Sequence, residues 1–431
     1  MKQRYQINKL AAAAKFREQA RNSSQQLQFA LPLPEVLGLI QQGLMSLALT
    51  AFTQLAESMM NLEVDQIVGP RSQAQADREA NRWGTQKGCC VVGGQKVPLV
   101  RPRVRDVRQR EIPLGSYEML QQASLMEEAV WQKIMHGLTT RGYGAVVREI
   151  EQAYGIEKTT VSEHFIEASR RRIDQLTSRS LESHALCAMV IDGTYFAKQD
   201  LIAAVGITLQ GQKIVLGLRQ GATENTTVVK QLLEDIQSRG VNFDVPRLYV
   251  LDGNKALHAA VRKLAGKAGL IQRCQVHKLR NVVDHLPESH RPTIASKLRN
   301  AYAMQAHAEA SKALQQLLHE LMHLNPSAAH SLEEGMDETL TVHRLRVPSK
   351  LRTSLATTNI IESAFSLVEK LCRNVKRWQG SDQPMRWVAS GLLWAESRWN
   401  RLHGYRAMPV LVKELELAVV RDLPARHVNV A

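Results

Sequence analysis

The stretch Ala188-Met189-Val190-Ile191-Asp192-Gly193-Thr194-Tyr195 constrains this chain most. An apolar run with β-branched members ends in a carboxylate, and a glycine follows it. That is the pattern of a buried central strand carrying an Asp to its carboxyl end. The pattern returns at Arg247-Leu248-Tyr249-Val250-Leu251-Asp252-Gly253. Two such strands would set two carboxylates at one edge of one sheet. Hard divalent cations favour oxygen ligands with open positions, so this edge is a candidate metal site. Asp-Gly after a strand is also an ordinary turn, and the surrounding chain has to weigh one reading against the other.

Leu201–Thr208 and Lys213–Leu218 read as two further strands, with a turn at Gln210-Gly211-Gln212. Together with the strand of Asp192 they make an antiparallel meander. A helix is expected from about Glu224 to Arg239, stopped by Gly240. The strand of Asp252 comes next, then a helix from about Asn254 to Ala268. Leu270-Ile271-Gln272-Arg273-Cys274-Gln275-Val276-His277 reads as a fifth strand. The order β-β-β-α-β-α-β-α predicts a mixed sheet with helices on its faces, which is the ribonuclease H-like order. There the first and fourth strands are neighbours, so Asp192 and Asp252 could share one or two metal ions.

From Asp284 to about Ser354 the strand signal disappears. Leu314, Leu317, Leu318, Leu321 and Met322 recur at helical spacing, which predicts an all-helical insertion. Ala356-Thr357-Thr358-Asn359-Ile360-Ile361-Glu362 then reads as a cap region opening a helix. Glu362, in its first turns, is the best-placed third carboxylate. The tail to Ala431 reads as helical, basic and rich in Trp.

Upstream, Lys2 to about Gln28 reads as a loose, alanine-rich helix, and Leu31-Pro32-Leu33-Pro34 punctuates. Val36, Leu37, Ile40, Leu44, Leu47, Ala51, Leu55 and Met59 predict one or two helices for docking or oligomerisation. A basic stretch from Gly69 to Arg110 contains a hairpin turning at Gly93-Gly94. On it Arg101, Arg103 and Arg105 alternate along one side. This is either a solvated strand face or a DNA-backbone contact, and the scarcity of nearby acids favours the second. Residues Met119 to Arg179 read as helical throughout. One helix ends near Tyr154-Gly155, and the next opens with Lys158, Thr159 and Ser162 in its first turns. That is a helix-turn-helix pattern, although helix pairs with Gly turns also serve plain packing. Arg170, Arg171 and Arg172 follow and favour the DNA reading.

The formal charge is +15 and the pI about 9.7, which fits a polyanion partner. The five cysteines are odd in number and scattered, unlike a secreted disulfide framework, and fit a reducing cytoplasm. No apolar run approaches the roughly 18 residues of a membrane span. The N-terminus lacks the long apolar core of a signal peptide. Cys274 and His277 supply half of a tetrahedral zinc site, so no tightly bound zinc is expected.

Four blocks then carry a resemblance: Ile191-Asp192-Gly193, Leu251-Asp252-Gly253-Asn254-Lys255-Ala256, Cys274-Gln275-Val276-His277 and Thr358-Asn359-Ile360-Ile361-Glu362-Ser363. From about Leu31 to His403 the chain resembles bacterial insertion-sequence transposases of the Mutator family. The resemblance implies a DDE triad, Asp192, Asp252 and Glu362, holding two Mg2+ (or Mn2+) on a ribonuclease H-like core. It favours His277, with Cys274, as active-site support over a purely structural Cys-His pair. Arg377 and Trp378 would stack on a displaced base near the cut, or be a helix face with one buried Trp.

The implied activity is cleavage at terminal inverted repeats and strand transfer into target DNA. It would be carried out by a homodimer or higher oligomer in the bacterial cytoplasm, at the nucleoid, with no membrane partner. A DNA-binding regulator without cleavage and a metal-dependent nuclease that does not join remain as alternatives. The fold class expected is α+β, a ribonuclease H-like mixed sheet with a helical insertion, after a mostly helical DNA-binding region. Its parts are 1–65, helical; 66–118, basic and β-containing; 119–182, helix-turn-helix-like; 183–283, the first part of the core; 284–355, the insertion; and 356–431, the last part of the core.

Overall fold

A computed structural model of the chain describes residues 2–23, 36, 44–71, 79–148, 154–221, 225–378 and 382–421. The expected Pro-punctuated stretch at Leu31–Pro34, and the helical positions Leu37 and Ile40, lie outside them. The chain divides into two compact units, Met1–Ala168 and Ser169–Ala431, with the boundary inside one helix, Lys158–Ser178.

In the first unit, helices Lys2–Arg21 and Leu44–Val68 precede a hairpin. Its strands, β1 (Ala80–Val92) and β2 (Gln95–Asp106), are antiparallel, and β3 (Glu111–Ile112) pairs with β2. The turn is Gly93-Gly94, both residues at positive φ, which glycine adopts without steric cost. Met60 and Val64 of the second helix bury against Cys90, Val97, Leu99 and Val104 of the hairpin. Between them the Glu63 carboxylate is buried. It accepts the backbone N–H groups of Gly115 (2.7 Å) and Ser116 (2.9 Å), satisfying the free donors that open the Gly115–Leu120 helix.

Three helices follow, Ala123–Met135, Tyr143–Val147 and Lys158–Ser178. The second is shorter than the sequence suggests. Arg148 is already extended, and Tyr154 exchanges two backbone hydrogen bonds with Lys96, at 2.9 and 3.0 Å. Those groups are therefore used by a bridge to the hairpin and not by a helix reaching Tyr154.

The second unit is built on a five-stranded sheet: β4 (Leu186–Phe196), β5 (Gln199–Thr208), β6 (Lys213–Gln220), β7 (Arg247–Leu251) and β8 (Gly269–Arg273). The spatial order is β6-β5-β4-β7-β8. The meander β4-β5-β6 is antiparallel, while β4–β7 and β7–β8 are parallel. Every residue of β7 and β8 is buried, as expected of parallel strands covered on both faces. On one face Met189, Ile191, Tyr249 and Leu251 pack with Leu232, Leu233 and Ile236 of the Thr226–Ser238 helix. Leu257 and Val261 of the Lys255–Ala265 helix complete that core. The Asn359–Cys372 helix packs against β4 and β5. The class is α+β.

The expected fifth strand stops four residues early. Cys274 ends β8 and caps the helix Gln275–Asp284, its Sγ accepting the His277 N–H at 3.5 Å.

Helices Arg291–Ala303, His307–Leu324 and Pro326–Glu333 form a separate apolar core with Val282 and Leu286. Polar side chains at the end of β8 tie this insertion down. Gln272 Nε2 donates to the Thr339 carbonyl (2.8 Å), and its Oε1 accepts Val342 N–H (3.0 Å). Arg273 donates to the Glu334 carbonyl at 3.0 Å. Lys278 is buried and donates to the carbonyls of Ser331 and Glu334, capping the C-terminal end of the Pro326–Glu333 helix. Burial lowers the Lys278 ammonium to about 8. Gly335, at φ +66, lets the Arg273 guanidinium lie where a Cβ would sit, 2.6 Å away. Among the described residues, no helix is long and apolar enough to cross a membrane.

His343 is buried in the insertion, and its Nε2 lies 3.0 Å from the Tyr302 carbonyl, which it meets as a donor. Burial pushes the ring down to about 4. A histidine depressed in the fold stabilises fully above its unfolded value of 6.5 and loses that contribution as pH falls toward 4. We expect the melting temperature to drop across that window, by a contribution of roughly 3 kcal/mol from this ring. His343→Gln, which can donate the same hydrogen bond without titrating, should flatten the drop in a pH series of thermal melts.

Candidate active site

Ile191 of β4 and Leu251 of β7 are register partners in a parallel pair. The next residue on each strand is an aspartate, so Asp192 and Asp252 emerge side by side, with strands about 4.8 Å apart. Asp192 is only 4% exposed. Its Oδ1 accepts the Gly193 N–H at 2.9 Å, and its Oδ2 is buried without a hydrogen-bond partner. Burial raises its carboxyl to about 6. The His277 charge and the Thr358 hydroxyl oppose that rise, and the Asp252 charge adds to it. Asp252 Oδ1 accepts the Asn254 N–H at 3.0 Å, and Asn254 caps the helix that follows.

Glu362 enters from the first turn of the Asn359–Cys372 helix. Its Oε1 accepts from the Thr358 hydroxyl at 3.0 Å and lies 3.8 Å from His277 Nε2. Its Oε2 lies 3.6 Å from the Arg280 guanidinium. His277 is raised to about 9, first by its hydrogen bond to Cys274, against its own burial, and further by the charges of Cys274, Asp192 and Glu362. Burial pushes the Cys274 thiol up, but hydrogen bonds from His277 and Thr358 outweigh it and the thiol is lowered. Thus Asp192, Asp252, Glu362, Cys274 and His277 converge from β4, β7, the end of β8 and two helices, Gln275–Asp284 and Asn359–Cys372.

Ligand atoms of Cys274, His277 and Glu362 lie within 4.8 Å of one another. The structure therefore adds a third donor to the half-site that the sequence offers. Cys274 Sγ already accepts the His277 and Thr358 N–H groups, at 3.5 and 3.4 Å. The open acceptor is instead Asp192 Oδ2. A buried carboxylate oxygen without a donor suits a hard cation. Thr358 and Arg280 were not singled out by sequence reasoning. Thr358 stands in the cap block before Glu362, but its reach to Cys274 and His277 has no local signal.

The residues expected to contact DNA sit on other elements. Arg101 and Arg103 both bind Glu111 of β3, Arg103 through two bonds of 3.2 and 2.6 Å. Arg103 holds the Glu111 carboxyl below its usual range. The stripe is therefore not short of acids, because β3 folds one back against it. Arg105 lies over the Trp83 ring, 4.5 Å from its centroid.

Lys158 and Thr159 are exposed at the start of their helix, and Ser162 is half-buried. Further along, Arg170 and Arg171 are exposed, and Arg172 is half-buried and bonds Gln175. Arg377 is exposed. Trp378 is half-buried outside any helix, edge-on to Phe196, with ring centroids 5.0 Å apart.

The family model described as "Transposase, Mutator family" matches residues 37–400. The chain belongs to the Mutator family of transposases. It is similar to the transposase for insertion sequence element ISRM5 of Rhizobium meliloti (strain 1021). The two are 24% identical over 379 residues, which cover 84% of this chain and 91% of that one. Likeness to the transposase for insertion sequence element IS905 of Lactococcus lactis subsp. lactis (strain IL1403) is 29% over 247 residues, 55% of this chain and 60% of that one. The transposase for insertion sequence element IS256 in transposon Tn4001 of Staphylococcus aureus is 21% identical over 389 residues, 87% of this chain and 96% of that one. The match spans both Asp strands, the insertion and the Glu362 helix. Transposases of this kind are DNA-processing enzymes that usually need a divalent metal.

Ionising the buried Asp192 without a cation costs stability. Its folded value is raised, so the contribution is complete below about 3.8 and is lost as pH rises through about 6. At pH 7 the loss is on the order of 3 kcal/mol. Asp192→Asn should therefore melt higher than the metal-free wild type at pH 7, and the gap should close near pH 4. A gap that does not change with pH would remove this account.

Proposed function

We propose that this chain is a DDE transposase of an insertion sequence, with Asp192, Asp252 and Glu362 as its catalytic carboxylates on a ribonuclease H-like core. The observation that carries the reading is the pairing of Ile191 with Leu251, which delivers two aspartates to one edge of a parallel strand pair. The strand order β6-β5-β4-β7-β8 agrees with that core, and the family membership agrees with the reaction. Water would attack at the element's end and free a 3′-hydroxyl, which then attacks target DNA in a transesterification.

Asp192, Asp252 and Glu362 would hold two Mg2+ or Mn2+. Such a pair, when bound, supplies an activated attacking oxygen and charge neutralisation at the leaving oxygen. The chain's own contribution is to keep Asp192 Oδ2 buried and open, to orient Glu362, and to place the His277 and Arg280 cations beside it. His277 would meet the phosphate next to the cut, with Cys274 fixing its ring. Arg377 and Trp378 would stack on a displaced base there.

Arg101, Arg103 and Arg105 would hold the phosphates of the terminal repeat, and Lys158, Thr159 and Ser162 would read its bases, followed by Arg170, Arg171 and Arg172. Joining two element ends calls for at least a homodimer. The chain would work in the cytoplasm, at the nucleoid.

The deciding experiment is cleavage and strand transfer on element-end DNA with Mg2+ or Mn2+. Asp192→Asn, Asp252→Asn and Glu362→Gln should each lose activity on the order of a hundredfold or more, while Asp200→Asn, Asp244→Asn and Asp284→Asn stay near wild type. Full activity in all three triad variants would overturn the mechanism. Cleavage without joining of a pre-cleaved end would favour a nuclease, and binding without either reaction a regulator.

DNA affinity gives a separate check. Replacing Arg101, Arg103 and Arg105 with Ala should weaken binding to every sequence and flatten its salt dependence. Changes at Lys158, Thr159 or Ser162 should relax sequence preference instead. Unchanged binding in both sets would displace the interface from these residues.

A further inference from the structure

We propose that Thr358 is the positioning residue of this site, its hydroxyl holding Glu362 in register with Asp192 for cation binding. This rests on the reading of those carboxylates as cation ligands.

Thr358 is completely buried, immediately before the helix that carries Glu362. It stands at the N-cap, where a threonine ordinarily accepts a backbone N–H of the first turn. Here its side chain makes no such bond. The hydroxyl goes to side chains: 3.0 Å from Glu362 Oε1, 3.4 Å from His277 Nδ1 and 3.5 Å from Cys274 Sγ. It also lies close enough to Asp192 to favour its charged form. The Thr358 N–H donates to Cys274 Sγ at 3.4 Å, which fixes the backbone beneath it.

A hydroxyl has one proton and two lone pairs. Its proton can serve one carboxylate at a time, while an imidazole N–H can fill a lone pair. Glu362 has two other polar neighbours, His277 Nε2 at 3.8 Å and the Arg280 guanidinium at 3.6 Å. Both exceed hydrogen-bond length. The Thr358 hydroxyl, at 3.0 Å, is the side-chain hydrogen bond that fixes Glu362 Oε1.

Two substitutions in the full-length, metal-free protein separate positioning from packing. Thr358→Val keeps the shape and removes the hydroxyl, and Thr358→Ser keeps the hydroxyl and removes a methyl. Mn2+ binding is measured by calorimetry. Positioning predicts that Thr358→Val binds Mn2+ about tenfold or more weakly, while Thr358→Ser stays near wild type. In DNA cleavage kcat should fall with KM unchanged in the Val variant alone. A packing role predicts the reverse order, with Ser the worse of the two, and that result would overturn the proposal. Should Thr358→Val not fold, Thr358→Ala replaces it beside Thr358→Ser, with the same expectation.

Asp192→Asn keeps the two readings apart. If it binds Mn2+ like wild type, the carboxylates are not the ligands and both readings fail. If it loses Mn2+ while Thr358→Val binds normally, only the role of Thr358 is wrong.

Discussion

The second unit depends on one strand pairing, β4 against β7 in parallel. Four register pairs, from Ala188–Leu248 to Ile191–Leu251, are buried on both faces, and the next residue on each strand is charged. Side chains alternate along a strand, so a slip of one residue would turn Asp192 into the apolar face now filled by Met189 and Ile191. The apolar residues thus fix the register, and the register fixes where the carboxylates stand. The site does not hold itself together. Crowded acids repel, and the energy that places them comes from the Leu, Ile and Val beneath them.

The far edge of the sheet has the opposite chemistry. β8 ends in Gln272 and Arg273, both buried, and Lys278 follows in the next helix. Each donates to a carbonyl at or just beyond a helix end in the insertion. Buried polar groups are specific only when satisfied, and these meet main-chain acceptors that need donors in return. The insertion has its own apolar core, yet these side chains anchor it to β8, the strand that leads directly into Cys274 and His277.

How much of this is legible in sequence depends on whether the deciding contact is local. The strands of Asp192 and Asp252 can be read because a buried parallel strand is a continuous apolar run. The Glu362 helix can be read because Thr357 and Thr358 precede it and Asn359 opens it. The end of β8 cannot, since Val276 prolongs the strand-like pattern. What stops the strand there is Cys274 accepting the His277 N–H, and cysteine is not among the usual caps. Tyr154 looks helical until Lys96, far back in the chain, takes both its backbone groups. Glu111 and the hydroxyl of Thr358 are similar cases. Their partners are set by tertiary packing, and no spacing rule reports them.

The charges of the site show why its metal-free form can persist. Asp192 is held toward the neutral acid by burial, and Glu362 faces His277 and Arg280. With His277 raised to about 9, its imidazolium stands in for part of the positive charge that the carboxylates need at neutral pH. A cation held by Asp192 and Glu362 would neutralise their pull on His277, but its hydrogen bond to Cys274, the larger cause of its raised value, would remain and keep the imidazolium charged. His277 and Arg280 would then be free to meet another anion. In an enzyme whose substrate is a phosphodiester, that anion is the one brought next to the carboxylates. On the proposed reading the same two side chains would quiet the empty site and receive the substrate in the loaded one, and Thr358, being uncharged, would keep Glu362 in place through the exchange.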